Sequence, residues 1–206
     1  MRYKLITISI AAALFVAAMP PLVAQVAPAA ATGGIPLKIG LGLSDYDVDW
    51  GHGRMLGGTV WIDYTPNHIP AILYGLGIEA EARDISINRS ATQPSNFRLD
   101  TAGGGVKYTL HLRRLRDFQP YGKYLVDFGG IDWNNPDPQW QHETRTVMAP
   151  GGGFEYRTYR NIFVRADYEY QFWPDIALMS PGGHVLNPQG FTVGAVYDFS
   201  GFHPRN

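Results

Sequence analysis

"IFVRADYEYQF", residues 162–172, alternates without a break. Ile162, Val164, Ala166, Tyr168, Tyr170 and Phe172 fall on one side of an extended chain, and Phe163, Arg165, Asp167, Glu169 and Gln171 on the other. Successive side chains of a β-strand point to opposite faces, so a period of two predicts a strand. Two opposite structures share this pattern. In a soluble sheet the apolar face turns to the core and the charges meet water. In a membrane barrel the apolar face meets lipid and the charges point into the lumen.

The rest of the chain separates the two. Eight alternating segments recur, at about 37–47, 55–65, 71–83, 98–111, 119–130, 146–156, 161–173 and 190–199. Each is long for a soluble strand and matches the roughly 9–11 residues that a tilted strand needs to cross a bilayer. The connections near 66–70, 112–118 and 157–160 are short, as is 48–54, whereas 84–97, 131–145 and 174–189 are long. Short turns at one end and long loops at the other are the rhythm of an outer-membrane barrel, and an even strand count places both termini on the periplasmic side.

The faces agree. Leu37, Ile39, Leu41 and Leu43 oppose Lys38, Gly40, Gly42 and Ser44. Gly58, Val60, Ile62 and Tyr64 oppose Gly57, Thr59, Trp61 and Asp63. Leu76, Ile78, Ala80 and Ala82 oppose Gly77, Glu79, Glu81 and Arg83. Tyr124, Val126 and Phe128 oppose Lys123 and Asp127, while Phe191, Val193, Ala195, Tyr197 and Phe199 oppose Thr192, Gly194 and Asp198. The second set mixes glycine with charges of both signs. A narrow lumen accounts for both: glycine leaves room for long side chains opposite, and unpaired charge in a confined space is costly. The predicted lumen charges are Asp63, Glu79, Glu81, Arg83, Lys107, Lys123, Asp127, Glu155, Arg165, Asp167 and Glu169. In 146–156, Pro150 and the glycines 151–153 predict a bulge or bend.

Aromatics mark the expected interfaces. Trp50, Trp133, Trp140 and Trp173 fall at or beyond one predicted end of the strands, with Trp61 the exception. Tyr168, Tyr170, Phe172, Phe191, Tyr197 and Phe199 complete the predicted interface set. The competing reading is a secreted soluble β-barrel.

Composition bounds the rest. The 206 residues carry 24 glycines, 13% aromatics and a formal net charge of −1. That balance argues against a nucleic-acid partner held by bulk electrostatics. The chain has no cysteine, which excludes disulfides, thiol catalysis, cysteine-held metals and a lipidated cysteine anchor. Arg2 and Lys4 precede an apolar run from Leu5 to Ala18, then Pro20, Pro21 and small residues. This is the pattern of a secretory signal peptide over 1–24, cleaved after Ala24 or alternatively Ala31, and it is short for a membrane anchor helix. Its removal takes 17 basic residues to 15 against 18 acidic ones, a net of −3. Residues 25–36 are expected to form a flexible leader, 37–199 the barrel, and 200–206 a C-terminal tail.

With "VRADYEYQFW" (164–173) and the closing "GFTVGAVYDF" (190–199) in view, the chain resembles the small eight-stranded outer-membrane β-barrels: OmpA-type transmembrane domains and OmpW- or opacity-type proteins. The resemblance implies an all-β, antiparallel, up-and-down barrel in a Gram-negative-type outer membrane. It also implies contact with lipid and lipopolysaccharide, and insertion by the barrel-assembly machinery through a final strand ending in an aromatic. Here seven residues, "SGFHPRN", follow that aromatic, Phe199.

Specific chemistry is sparse. "DYDVDWG" (45–51) starts like a calcium loop, but position six is Trp50 and position twelve is Leu56, so an EF-hand fails. Asp45, Asp47 and Asp49 still share one face and remain weak metal candidates. "GGGVKY" (103–108) and "GLGIEA" (75–80) lack the phosphate-loop and dinucleotide signatures. "HLRRLR" (111–116) is a basic turn able to touch inner-leaflet phosphates. None of the histidines is followed by serine two residues on, and "HETR" (142–145) is not the zinc-protease motif. No catalytic residue and no cofactor is predicted. The expected role is structural, in envelope integrity, or in surface interaction through 84–97, 131–145 and 174–189. A narrow ion or small-molecule channel is the alternative, set against the expectation that eight strands leave a lumen just filled by side chains.

Overall fold

The computed structural model describes residues 35–48, 54–66, 70, 73–88, 98–112, 114–132, 142–176 and 184–200. The chain divides after Gly34, and the barrel lies in the second unit, Ile35–Asn206. The predicted signal peptide and its cleavage sites lie outside the described residues, as do Asp49, Trp50, Trp133 and Trp140.

The described residues form ten strands: β1 (Leu37–Asp47), β2 (Arg54–Tyr64), β3 (Leu76–Asn88), β4 (Arg98–Thr109), β5 (Phe118–Asp132), β6 (His142–Tyr159), β7 (Ile162–Tyr170), β8 (Trp173–Ile176), β9 (His184–Leu186) and β10 (Gln189–Asp198). Eight of them close an antiparallel barrel in the order β1-β10-β7-β6-β5-β4-β3-β2, and β8 and β9 form a separate hairpin. Closure joins β1 to β10 from Lys38↔Asp198 to Asp47↔Gln189. Inside the barrel Ser44 Oγ stitches this seam, at 2.5 Å from Thr59 Oγ1 on one side and 2.7 Å from Thr192 Oγ1 on the other. The start of β1 and the end of β10 lie at one end, here the turn end, and the opposite end is the loop end.

Three features differ from expectation. The third strand begins at Leu76, not 71, because Gly75 takes φ 97° in a turn and the chain extends only after it. The predicted bulge at 150–153 is absent. β6 pairs with β5 in one unbroken register from His142 to Tyr156. With β7 the register is the same on both sides of Pro150, since Gly151 faces Glu169 and Met148 bridges Phe172. The proline lacks an N–H, so it removes a rung without shifting the ladder. Finally, the strands run further at the loop end than the predicted loops 84–97 and 131–145 allow: β3 reaches Asn88 and β6 begins at His142. The predicted loop 174–189 contains part of the β8–β9 hairpin.

That last difference has a physical cause. Along most of the barrel the apolar side chains face out: Leu41, Leu43, Val60, Ile78, Val126, Phe128 and Val193 are all exposed. At the loop end the alternation inverts. Tyr46, Met55, Ile85, Leu99, Ile131 and Val147 point inward and are fully buried, or nearly so. Asp84, Ser86, Arg98, Asp100, Asp132, His142 and Thr144 lie on the outward parity, half-buried or exposed. The barrel is membrane-type along its lower length and soluble-type above it. The two answers to the pattern of 162–172 thus occur in one barrel, at different heights.

Candidate functional site

The lumen is the most densely organised part of the molecule. Every predicted lumen charge is buried there: Asp63, Glu79, Glu81, Arg83, Lys107, Lys123, Asp127, Glu155, Arg165, Asp167 and Glu169. They come from β2 to β7, and the structure joins most of them into one ionic network.

Arg165 lies near its middle. Its Nη1 and Nη2 donate to the two carboxylate oxygens of Glu79 at 2.9 and 2.8 Å, and Nη2 donates to Asp167 at 2.8 Å. The guanidinium plane stacks on Trp61 at 4.6 Å and on Tyr121 at 4.7 Å. Lys123 Nζ lies among four carboxylates: Glu81 at 2.7 Å, Glu169 at 2.8 Å, Asp167 at 3.2 Å and Glu79 at 3.3 Å. Toward the loop end Arg83 pairs with Glu169 at 2.5 Å and with Glu81, and lies over the Tyr46 ring. Toward the turn end Lys107 holds Asp63 at 2.8 Å and Glu155 at 2.7 Å, and Lys38 closes the chain onto Glu155 at 2.6 Å. Asp127 stands apart, with no carboxylate–cation contact among the described residues and its Oδ1 without a hydrogen-bond partner.

Sequence reasoning missed several members. Lys38 sits on the inward parity of β1, but nothing in its own strand shows that it reaches Glu155. Tyr121, whose hydroxyl donates to Asp167, and Gln171, whose Nε2 donates to Glu169 at 2.9 Å, carry no charge to mark them. Trp61 shows how glycine enters the design. A Cβ on Gly40 would lie 2.3 Å from the Trp61 ring and one on Gly194 2.6 Å, so both glycines leave the space the indole fills.

Above the network sits an apolar plug. Tyr46, Val48, Met55, Ile85, Leu99, Ile131, Val147, Trp173 and Leu186 form one buried cluster. The hairpin supplies its last two members. Trp173 corrects an expectation: it is not an interface aromatic but fully buried. Its ring reaches across to β5, where a Cβ on Gly129 would lie 2.2 Å away. Its Nε1 donates to Gln171 Oε1 at 2.9 Å, tying plug to network. Of the other predicted interface aromatics, Tyr168, Phe172, Phe191, Tyr197 and Phe199 are exposed and Tyr170 half-buried. Tyr168 packs against Phe191, Tyr170 against Phe172 and Tyr197 against Phe199.

Of the metal candidates, Asp49 lies outside the described residues. Asp45 is half-buried and paired with Arg54 at 3.2 Å, and Asp47 is exposed beyond it. No metal-binding group of three or more His, Cys, Asp or Glu side chains occurs among the described residues. At the rim, His142 Nδ1 lies 2.5 Å from Asp132 Oδ1 and its Nε2 3.0 Å from Thr144 Oγ1. This acid–imidazole–hydroxyl chain has the connectivity of an activated nucleophile. The His142 side chain is 56% exposed, however, so water competes for both bonds.

Comparison with known proteins places this geometry. The chain is similar in structure to neisserial surface protein A (TM-score 0.57, 16% identity, 81% of this chain and 99% of that one). It is also similar to Ail, the attachment invasion locus protein of Yersinia pestis (TM-score 0.52, 17% identity, 79% and 97%), and to OprG of Pseudomonas aeruginosa (TM-score 0.53, 12% identity, 81% and 97%). At these identities the likeness is one of fold. No curated protein matches the chain. A family model described as "Outer membrane protein beta-barrel domain" matches residues 9–199. The chain therefore belongs to the outer-membrane β-barrel protein family and is a protein of the bacterial outer membrane.

Proposed function

We propose that this protein is a closed, non-enzymatic barrel that raises a rigid platform at the cell surface and acts through what the platform presents. The observation that carries this reading is the inverted alternation at the loop end. A strand segment with polar residues outward and an apolar core inward belongs in water, not in hydrocarbon. β3 continues for six residues past Ala82, to Asn88. At about 3.3 Å per residue and a tilt near 45°, that lifts the rim roughly 14 Å above the apolar belt. The rim residues of this platform, and the chain that joins the strands beyond it, are the part proposed to meet lipopolysaccharide and whatever the surface encounters. Two of the proteins with the same fold are named as a surface protein and an attachment protein, which agrees with the reading.

The absence of cysteine from the chain provides a clean test. On intact cells, a membrane-impermeant maleimide is expected to label Ser86→Cys and to leave Ala82→Cys unlabelled, although both side chains point outward. Equal labelling of the two, or labelling of neither, overturns the platform.

A conducting pore is disfavoured by the lumen itself, which is filled by the ionic network and sealed above it by the Trp173 plug. In a planar bilayer, the barrel confirmed as folded by its faster migration on an unboiled gel is expected to give no discrete conductance steps. Regular steps that change in Arg165→Ala would place a conduction path through the network and refute the closed lumen.

A further inference from the structure

At the turn end, beside the mouth of the lumen, lies a cavity of about 640 Å³. One wall is apolar and faces the bilayer side: Tyr74, Tyr108, Leu110 and Leu112 line it, and all four are exposed. Leu110 and Leu112 lie beyond the last residue of β4 and Tyr74 before the first residue of β3, so the apolar belt continues onto the connections here. The other wall is basic, formed by Arg116, Arg157 and His111.

The two arginines, like the exposed Arg114 and Arg160, differ from the arginines that hold ion pairs. Arg54, Arg83, Arg98, Arg145 and Arg165 each pair with a carboxylate. Neither Arg116 nor Arg157 has a carboxylate partner among the described residues. The Nε of Arg157 is buried and meets no acceptor. The Phe163 ring lies 5.1 Å from its guanidinium carbon and covers one face, which leaves the edge as the place for an anion. Its backbone N–H donates to Asp117 O at 2.8 Å, fixing β6 against the connection that carries Arg116. His111 packs on Tyr74 at a ring separation of 4.8 Å. Burial, and then the nearby Lys38 charge, hold its imidazole below the ordinary histidine range. It is therefore neutral at neutral pH and adds hydrogen-bonding capacity.

We propose that this cavity binds the phosphate of an anionic phospholipid in the periplasmic leaflet, with the phosphate on Arg116 and Arg157 and the acyl chains along Tyr74, Tyr108, Leu110 and Leu112. Guanidinium groups present forked donors that match phosphate oxygens. The unpaired positive charge selects an anionic headgroup over a zwitterionic one. The apolar wall selects a lipid over a free phosphate, which would have nothing to bury against it. A basic side chain at a membrane surface favours anionic lipid by about fivefold, so two should give a selectivity on the order of 10-fold or more.

The test uses the full chain in phosphatidylcholine nanodiscs with spin-labelled phosphatidylglycerol or phosphatidylcholine as probes. Preferential association of the glycerol lipid is expected in the unaltered protein. It should fall on the order of 10-fold in Arg116→Gln/Arg157→Gln and several-fold in Arg116→Gln alone. Arg116 lies outside the strands, so the single variant keeps the test decisive if the double one fails to fold. Arg54→Gln, which removes the same charge at the loop end, should change nothing. Soluble glycerol phosphate at millimolar concentration should not displace the labelled lipid. No preference in the unaltered protein, an unchanged preference in the variants, or an equal loss in Arg54→Gln overturns the site. Displacement by glycerol phosphate would make it a site for the free phosphate instead.

Discussion

Arg165→Ala is expected to destabilise the barrel by about 3–5 kcal/mol, the range seen when one partner of a buried ion pair is removed. The size follows from what is left behind. Glu79 loses two hydrogen bonds, and the cations left to it among the described residues are Lys107 and Lys123, each at 3.3 Å. Asp167 loses its 2.8 Å contact. Trp61 and Tyr121 lose the cation stacked between them. None of these groups can turn to water, because all are buried. Urea unfolding of the refolded barrel, followed by the gel-mobility shift, measures the change. Arg54→Ala serves as the comparison. Its pair with Asp45 is 3.2 Å long and its side chain is half exposed, so its loss should cost no more than about 1 kcal/mol. Similar costs for the two arginines would mean that the lumen network is solvated and contributes little.

Gly40→Val is expected to cost about 3 kcal/mol or more, at the upper end for overpacking. The new Cβ would sit 2.3 Å from the Trp61 ring. Trp61 is itself hemmed in, with Gly194 beneath it and Arg165 stacked above. The indole therefore cannot yield a few tenths of an ångström and must abandon its rotamer. Trp61→Ala alone should also destabilise, since it empties a large buried volume. The double variant Gly40→Val/Trp61→Ala should recover part of the loss, giving a coupling of at least about 1 kcal/mol in the double-mutant cycle. Gly58→Ala gives the opposite case: a Cβ there meets nothing within 4 Å, and the barrel should tolerate it within about 0.5 kcal/mol. Additive effects of Gly40→Val and Trp61→Ala would show that the glycine serves backbone curvature and not the indole.

Much of this architecture was legible in the sequence, and the part that was not has a clear origin. The lipid-facing stretches were readable because hydrocarbon demands apolar side chains at every second position, as in Ile162–Phe172. The lumen charges were readable for the same reason, as the residues between. The legible signal ends where the bilayer ends. Past Ala82 the outward residues become Asp84 and Ser86 and the inward one Ile85, so the polarity of the two faces reverses before a register shift at Ser86 breaks the alternation and leaves Ile87 exposed. Strand ends predicted from an apolar outward face therefore stop short on β3 and β6. Trp173 was misplaced by the same rule: a tryptophan near a strand end is an interface anchor in a purely membrane-type barrel, but a core residue once the barrel rises into water. Pro150 and its following glycines suggested a bulge because proline and glycine usually mark one. Here the flanking register holds the ladder in line. The pairings across the lumen were not legible at all. Alternation places Arg165 and Glu79 inside, but they are 86 positions apart, and only closure of the barrel brings them together.

That separation bears on how the chain can assemble. Many partners in the network lie on strands that are not neighbours: Arg83 of β3 reaches Glu169 of β7, Lys123 of β5 reaches Glu79 and Glu81 of β3, and Lys38 of β1 reaches Glu155 of β6. A partial sheet in the bilayer would satisfy some backbone rungs but leave these ions without their counterions, in a medium that tolerates neither open edges nor bare charge. Such halfway states have little to stabilise them. Pairs within a strand or across one intervening strand can form in a partial sheet, but those that span the lumen, Arg83–Glu169 and Lys38–Glu155, are gained only as the sheet curls shut, so closure of the circle and neutralisation of its last charges are one step, as in a latch.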